Sequence, residues 1–309
     1  MILKENISFL VLFFVLSSAI YVKVYFFIGI AIMRKRLKGV TLKRQQNWID
    51  QHEESLLEGN TYIPFWTVHD VRSSGVKCKI KHFREDRVVH LLSQNEVCQF
   101  MLLAFDQTVS DTKEQFGLPL AETLVIAKEL NVKHPVYPGT KVPIVQTIDF
   151  ICDISDSKKG IAVKQHDEIF KIRSVEKLAI QEAYCAKHGF EFETTTSSDL
   201  KIEPVRNLER MYRHAKLNPL LKSIITDWLE TFLTLIEQDP YERASKLLRL
   251  SADKMGIDFS VAAHFFYNSI WHHKIDINWE HPLFLEFSAI DLGLARVQVN
   301  SNIAAGFAA

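Results

Sequence analysis

Residues 145–152 are Val-Gln-Thr-Ile-Asp-Phe-Ile-Cys, an apolar run with one acid, Asp149, inside it. Side chains alternate along a strand, so Asp149 is expected to share a face with Val145, Thr147 and Ile151. A carboxylate among such neighbours is costly to bury unless it is paired or bound to a metal ion. The run therefore predicts a central β-strand with a functional acid, and an aspartate that caps a turn is the ordinary alternative.

Two further segments carry charged groups that can converge on this strand. A predicted helix opens within Leu91-Leu92-Ser93-Gln94-Asn95-Glu96, and a predicted strand ends with Ile161-Ala162-Val163-Lys164. Two carboxylates can hold a hard divalent cation through oxygen ligands. A nearby ammonium group can orient a water molecule or stabilise charge on a phosphate. Glu96, Asp149 and Lys164 together favour a metal-dependent nuclease.

Two of these residues also have ordinary structural explanations. Ser93 and Glu96 fit the capping box S-x-x-E, in which the glutamate satisfies backbone donors at the start of a helix. Lys164 fits a solvated surface lysine equally well. The structural explanation is weakest for Asp149, because an acid inside an apolar strand has no local backbone to cap.

Several motifs, in order along the chain, resemble the TnsA endonuclease family. They are Tyr-Ile-Pro-Phe-Trp-Thr-Val-His-Asp-Val-Arg-Ser-Ser-Gly at 62–75, Arg-Val-Val-His-Leu-Leu-Ser at 87–93, Lys-Glu-Gln-Phe at 113–116 and Lys-His-Pro-Val at 133–136. The resemblance is clearest over 62–164 and thinner to about 199. It implies an α/β fold: a restriction-endonuclease-like mixed sheet flanked by helices, with Mg²⁺ in the active site and Mn²⁺ as a substitute.

The same resemblance assigns roles to individual residues. Glu96 matches the family's helical acid, Asp149 its strand acid and Lys164 its lysine. Nucleases of the wider PD-(D/E)xK group have an acid two residues before the lysine, and TnsA proteins have glutamine there. This chain has Ala162, which offers no side-chain ligand. A metal would then depend on Glu96, Asp149, the backbone carbonyl of Val163 and water, and the metal count stays open.

The resemblance also implies a reaction and partners. A TnsA-type enzyme cuts the 5′ strand at transposon ends, a TnsB-like recombinase cuts and joins the 3′ strands, and a TnsC-like AAA+ regulator contacts the complex. The alternative is a catalytically weakened, nuclease-like scaffold that links recombinase, regulator and DNA. The chain has 37 basic and 37 acidic residues, so DNA attraction has to come from local patches and from partners. The basic candidates for DNA contact are Arg34, Arg36, Lys38, Lys43 and Arg44.

The ends of the chain differ from its middle. Residues 1–32 are apolar, with Lys23 inside the run, and fit a single N-terminal membrane anchor or translated upstream sequence before a start at Met33. The resemblance has no counterpart to this segment, which favours the second explanation and a cytoplasmic protein without a membrane partner. The four cysteines stand singly, which favours buried thiols in a reducing compartment over a zinc site or disulfides.

The remaining chain can be divided by its charge and by the spacing of its apolar residues. Residues 33–60 are expected to form a basic helical arm, and 61–199 the endonuclease catalytic domain. Apolar residues at helical spacing dominate from 200 to 300, which predicts a mainly α-helical, winged-helix-like domain with its two wing strands near 275–279 and 283–287. Residues 301–309 are small and uncharged and are expected to be a flexible tail.

Overall fold

The computed structural model describes residues 40–71, 76–200 and 202–296. The α-helices in these ranges are α1 (Leu42–Ser55), α2 (Gln94–Phe105), α3 (Leu120–Glu129), α4 (Ile172–Lys187), α5 (Ile202–Tyr212), α6 (Ile225–Gln238), α7 (Ala244–Met255) and α8 (Phe259–Trp271). The strands are β1 (Cys78–Lys81), β2 (Val88–Leu91), β3 (Val109–Gly117), β4 (Thr147–Ile154), β5 (Ser157–Lys164), β6 (Glu191–Thr196), β7 (Ile275–Asp276) and β8 (Ala295–Arg296).

A four-stranded mixed sheet in the order β3-β4-β5-β6 positions the candidate site. The first three strands are antiparallel, and β6 runs parallel to β5 after the crossover through α4. Strands β1 and β2 form a separate antiparallel hairpin. The expected α/β fold with a mixed sheet and flanking helices is therefore confirmed.

The sheet is covered on both faces, as a largely buried sheet requires. Helices α3 and α4 lie over an apolar cluster that includes Ile148, Ile151 and Ile180. Helix α2 and the C-terminal helices lie over a larger cluster that includes Phe150 and Cys152. Because Ile148 and Ile151 share one cluster although they are an odd number of positions apart, the strict alternation expected for β4 is interrupted around Asp149.

Strand β3 was not expected from the sequence and has its own irregularity in the same place. Gln115 lies in the left-handed backbone region, with φ of 48°, where residues other than glycine are uncommon. On one side of it, Glu114 bonds to Arg87 of the hairpin. On the other side, Phe116 packs on the cluster beneath α3 and α4. Interruptions of this kind redirect side chains and are frequent beside active sites.

Helix α1 lies within the segment 33–60 and packs on the domain that contains the mixed sheet. His52 donates from Nδ1 to the carbonyl of Ile63 (2.8 Å) and accepts at Nε2 from the backbone N–H of Gly117 (3.1 Å). Gln45 donates to the carbonyl of Pro143 over 2.6 Å. The arm is thus fastened to the end of β3 and to the loop before β4.

The C-terminal part is helical, as expected, and it shares a core with the four-stranded mixed sheet. Phe105 of α2 meets Trp271 at the end of α8 and Trp279 after it, with ring centroids 5.5 and 5.0 Å apart. Strand β7 pairs with β8, two residues on each side. The second wing strand was expected at 283–287, and the pairing partner instead lies at 295–296. The winged-helix-like assignment itself stays a prediction.

Some expectations fall on other residues. The apolar segment 1–32, the basic residues Arg34, Arg36 and Lys38, and the tail 301–309 lie outside the described residues. Among the residues that are described, no helix combines the length and apolar character needed to cross a bilayer.

Candidate active site

Helix α2 presents Glu96 through its N-terminal cap. Ser93 is the N-cap, and its Oγ accepts from the backbone N–H of Glu96 (3.2 Å) and donates to Glu96 Oε1 (2.8 Å). The backbone N–H of Leu92 donates to Glu96 Oε2 over 2.9 Å. This is a capping arrangement, and it holds the carboxylate at the edge of the sheet. The structural and the functional explanation of Glu96 therefore apply to the same side chain.

Strands β4 and β5 bring Asp149 and Lys164 into direct contact. Lys164 Nζ donates to Asp149 Oδ2 over 2.8 Å, and the backbone N–H of Val163 donates to the same oxygen over 2.7 Å. Lys164 Nζ also donates to the carbonyl of Val163 over 2.9 Å. The structure therefore brings the strand acid, the lysine and the carbonyl proposed as a metal ligand together at one point.

Gln115 joins the two acids, and sequence reasoning missed it. Its Nε2 donates to Glu96 Oε2 over 3.2 Å and to Asp149 Oδ1 over 3.1 Å. Thr147 Oγ1 donates to Gln115 Oε1 over 3.2 Å, which fixes the orientation of the amide. Gln115 stands in the motif Lys-Glu-Gln-Phe, but a neutral amide carries no charge to mark it as a site residue.

Burial and charge act together on the helical acid. Burial is the largest cause that raises the pKa of Glu96 to about 7, and the nearby negative charge of Asp149 is the second. The N–H of Leu92, the hydroxyl of Ser93 and the ammonium of Lys164 work against this rise. A raised carboxyl pKa beside a second acid is typical of functional sites.

The donor set fits a hard divalent cation. Both carboxylates lie within 3.2 Å of a single nitrogen, Gln115 Nε2, so small shifts would bring them around one ion. Among the described residues no group of three or more histidine, cysteine, aspartate or glutamate side chains is arranged so that it could hold a metal ion. Ala162 is fully buried and contributes no ligand. Mg²⁺ tolerates this composition, because it usually takes one or two carboxylates and retains several waters.

The basic residues around the site are distributed differently from the sequence expectation. Of the five candidates for DNA contact, Lys43 and Arg44 lie on α1, where the Arg44 guanidinium is 5.4 Å from the centre of the Trp48 ring. On α4, Lys177 is close enough to Lys164 for the two charges to interact: burial and then the charge of Lys164 lower the pKa of Lys177. Lys177 is a cation near the site that the sequence did not single out.

The sheet and this cluster define a restriction-endonuclease-like domain. Residues 106–197 match the family model of the TnsA-like endonuclease N-terminal domain. The chain therefore contains a TnsA-like endonuclease domain. It is similar to the transposon Tn7 transposition protein TnsA of Escherichia coli, with 33% identity over 157 residues. This match covers 50% of the chain and 57% of the relative, so the chain spans little more than half the length of that protein.

Proposed function

We propose that the protein is a Mg²⁺-dependent DNA endonuclease that cuts the 5′ strand at transposon ends. The observation that carries the proposal is the cluster of Glu96, Asp149 and Lys164, in which Gln115 Nε2 touches both acids and Lys164 touches Asp149. The similarity to a transposition protein supports the choice of substrate.

Each residue of the cluster has a distinct task in this proposal. Glu96, Asp149 and the carbonyl of Val163 would hold the cation. Mg²⁺, or Mn²⁺ in its place, supplies a Lewis acid that activates water and offsets charge on the phosphate. Lys164 places a positive charge beside the scissile phosphate, and its bond to Asp149 keeps the ammonium from turning to solvent. The phosphodiester is hydrolysed when water adds to phosphorus and the departing sugar oxygen takes a proton.

The proposal includes two protein partners. A TnsB-like recombinase would cut and join the 3′ strands and deliver the transposon ends, and a TnsC-like AAA+ regulator would contact the assembly. The even balance of 37 basic and 37 acidic residues supports this dependence, because non-specific DNA affinity grows with the number of phosphates that a protein neutralises. The isolated protein is therefore expected to bind DNA weakly and to cut it poorly.

A second function is favoured by one observation, the alanine at 162. The side chain at this buried position has no oxygen to offer a cation. In the second proposal the protein is a catalytically weakened scaffold that links recombinase, regulator and DNA.

A cleavage assay of the full chain with its recombinase distinguishes the endonuclease from the scaffold. We expect Mg²⁺-dependent cutting of the 5′ strand at labelled transposon ends, and its loss in Asp149→Ala, which removes a metal ligand and little core volume. Assembly of the complex, followed by gel shift, should survive. The matched control is Asp156→Ala, an exposed acid in the turn between β4 and β5, which should cut normally. Cutting by Asp149→Ala at the original rate would reject the mechanism, and assembly without cutting by the unmodified chain would favour the scaffold.

A further inference from the structure

The amide of Gln115 is held between two carboxylates in the core. Only 3% of Gln115 is exposed, so its side chain has little contact with solvent. The nitrogen faces both acids, and the oxygen faces the hydroxyl of Thr147. The carbonyl of Thr147 in turn accepts from Gln181 Nε2 on α4 over 2.7 Å. The amide is thus packed and bonded on both sides.

The geometry points to Gln115 as the third side-chain ligand of the cation, through its Oε1 after the amide turns over. This inference rests on the proposed function and completes its metal site. It assigns to β3 the oxygen that Ala162 of β5 lacks.

The spacing of the atoms supports this assignment. Adjacent ligands of an octahedral Mg²⁺, each about 2.1 Å from the ion, lie about 3.0 Å from one another. Gln115 Nε2 lies 3.2 Å from Glu96 Oε2 and 3.1 Å from Asp149 Oδ1. A half-turn about the last side-chain bond exchanges nitrogen and oxygen, and it places Oε1 at ligand spacing without movement of the backbone.

Both orientations of the amide satisfy its hydrogen-bonding groups. Without a cation, two carboxylates attract the NH₂ group and would repel the oxygen. With a cation between the carboxylates, the amide oxygen is attracted to the site and the NH₂ group is repelled. The hydroxyl of Thr147 both donates and accepts, so it can donate to Oε1 in the first state and accept from Nε2 in the second. The amide nitrogen and the amide oxygen each keep at least one partner when the amide turns.

The backbone at Gln115 gives a second reason for the position. Its φ of 48° is left-handed, a conformation that costs energy for a residue with a side chain. Glu114 and Phe116 are directed to the hairpin and to the α3–α4 cluster, and the turn at Gln115 directs its side chain to the acids. Strain at this position fits a functional use better than a purely structural one.

Direct titration with Mn²⁺, which takes the same oxygen ligands, tests the assignment on the full chain by calorimetry. We expect Gln115→Met, which keeps the length but removes the oxygen, to weaken Mn²⁺ binding by about 10- to 100-fold. Gln115→Glu should bind at least as tightly as the unmodified chain. The control is Gln45→Met, a buried glutamine on α1 outside the site, which should bind unchanged.

The Gln115→Met variant distinguishes a ligand from a hydrogen-bond donor. A residue that only donates N–H groups to the acids is not needed once a cation takes those oxygens, so Gln115→Met would then bind Mn²⁺ with unmodified or higher affinity. That result overturns the inference, and leaves the proposed function intact if Asp149→Asn has lost binding. Weaker Mn²⁺ binding by Gln115→Glu than by the unmodified chain also overturns it, because a carboxylate oxygen at a ligand position should strengthen cation binding.

Separate measurements report whether each variant folds and whether the proposed function itself fails. Thermal unfolding in EDTA reports whether each variant folds. If Gln115→Met does not, Gln115→Asn replaces it: this shorter amide cannot reach the acids, so it should show the same loss of Mn²⁺ affinity, and unmodified binding by it overturns the inference. An unmodified chain that neither binds Mn²⁺ nor cuts DNA rejects the proposed function and this inference with it.

Discussion

Glu96 shows how one carboxylate can serve structure and chemistry together. One oxygen accepts from the hydroxyl of Ser93, and the other accepts from Leu92 and from Gln115. The cap determines where the acid lies, and burial together with the negative charge of Asp149 raises its pKa to about 7. A helix N-terminus also favours negative charge. The helix start therefore holds the acid in place at the sheet edge.

Lys164 offers the sharpest test at this scale. We expect Lys164→Met to lower the rate of 5′-strand cutting by about 10²- to 10³-fold, the usual effect of removing one electrostatic stabiliser. Mn²⁺ binding should be no weaker, because an ammonium group is not a ligand. Single-turnover cleavage and calorimetry measure the two quantities.

The control for this change lies on the same strand. Lys159 forms an ion pair with Glu193 of β6, so Lys159→Met removes an equal charge away from the acids and should cut normally. Equal rates for Lys164→Met and the unmodified chain would show that the lysine only supports Asp149.

Residue type explains which parts of the site the sequence could predict. Asp149 was predictable because an acid is costly in an apolar strand, and Glu96 and Lys164 because charged groups stood at the ends of predicted elements. Gln115 was not predictable, since a neutral amide has no such cost and its backbone φ of 48° is a tertiary effect. The same applies to Lys177, whose proximity to Lys164 follows from the packing of α4.

At the scale of elements, the β1–β2 hairpin is joined to the sheet by one buried ion pair. Arg87 donates to Glu114 Oε2 over 2.6 Å and to the carbonyl of Thr112 over 2.7 Å, and the N–H of His90 donates to Glu114 Oε1 over 3.0 Å. The Arg87 and Glu114 side chains are 4% and 1% exposed. A pair so deeply buried makes its bonds without competition from water.

Breaking this pair from one side should be costly. We expect Arg87→Met to lower the free energy of unfolding by about 3–5 kcal/mol, because Glu114 would stay buried without its cation. Urea denaturation measures the loss. Arg296→Met removes a pair with Glu230 in which both side chains are about half exposed, and it should change stability little. Similar small losses in both variants would mean that Glu114 takes up a proton at little cost.

Elements were predicted well where periodicity was strong and poorly where it was absent. The helix at 94–105 and the strands at 147–154 and 157–164 lie close to the segments for which they were predicted. Strand β3 was missed because its residues, Val-Ser-Asp-Thr-Lys-Glu-Gln-Phe-Gly, are mostly polar. Its polar side chains are buried by pairing with the hairpin and the site, which no local pattern reveals. The partner of β7, at 295–296, was also mispredicted, because strand pairing is set by tertiary contacts that no local pattern reveals.

At the scale of the whole molecule, one apolar core crosses the expected boundary near residue 199. The larger cluster contains β4 and β5 residues together with residues of α5, α6, α7 and α8. Phe100 of α2 lies 6.5 Å from Phe150 of the sheet and 5.9 Å from Tyr212 of α5, measured between ring centroids. The change to helical spacing of apolar residues near residue 200 therefore does not mark a gap in the packing.

We expect a fragment that ends at residue 199 to fail to fold, since it would expose the aromatic face of α2. The full chain should unfold in one cooperative transition, seen at the same temperature by circular dichroism and by tryptophan fluorescence. A soluble fragment 1–199 with native circular dichroism would contradict this and would establish an independent nuclease domain.

Acid should destabilise the molecule through its buried histidines. Burial is the main cause that lowers the pKa values of His82, His90 and His214 to about 4. The unfolded chain, with histidine pKa values near 6.5, binds more protons between pH 6.5 and 4, so stability falls as pH falls through that range. Glu96, with its pKa of about 7, and Glu114, whose pKa burial also raises, act in the opposite sense. The histidines with lowered pKa values outnumber them, since burial also lowers the pKa values of His52, His134, His264 and His273.

Urea denaturation at pH 7.5, 6 and 5 measures this slope. His82 Nδ1 accepts from the backbone N–H groups of Arg84 (3.3 Å) and Glu85 (2.9 Å). Because the oxygen of an asparagine can accept in the same place without titrating, His82→Asn should show a shallower fall. A flat profile for the unmodified chain would contradict the expectation.

Glu114 and Gln115 are neighbours in β3 but bond to different parts of the molecule, so the site forms only when β3 has the correct register. Glu114 bonds to Arg87 of the hairpin, and the next residue bonds to the two acids. A slip of β3 by one residue in one direction would offer the amide of Gln115 to Arg87 and the ring of Phe116 to the acids. A slip in the other direction would offer Lys113 to Arg87 and the carboxylate of Glu114 to the acids. Each mismatch leaves buried charge without a partner. The hairpin therefore selects the register of β3, and a chain with β3 in another register would lack both the cluster of Glu96, Gln115 and Asp149 and a stable fold.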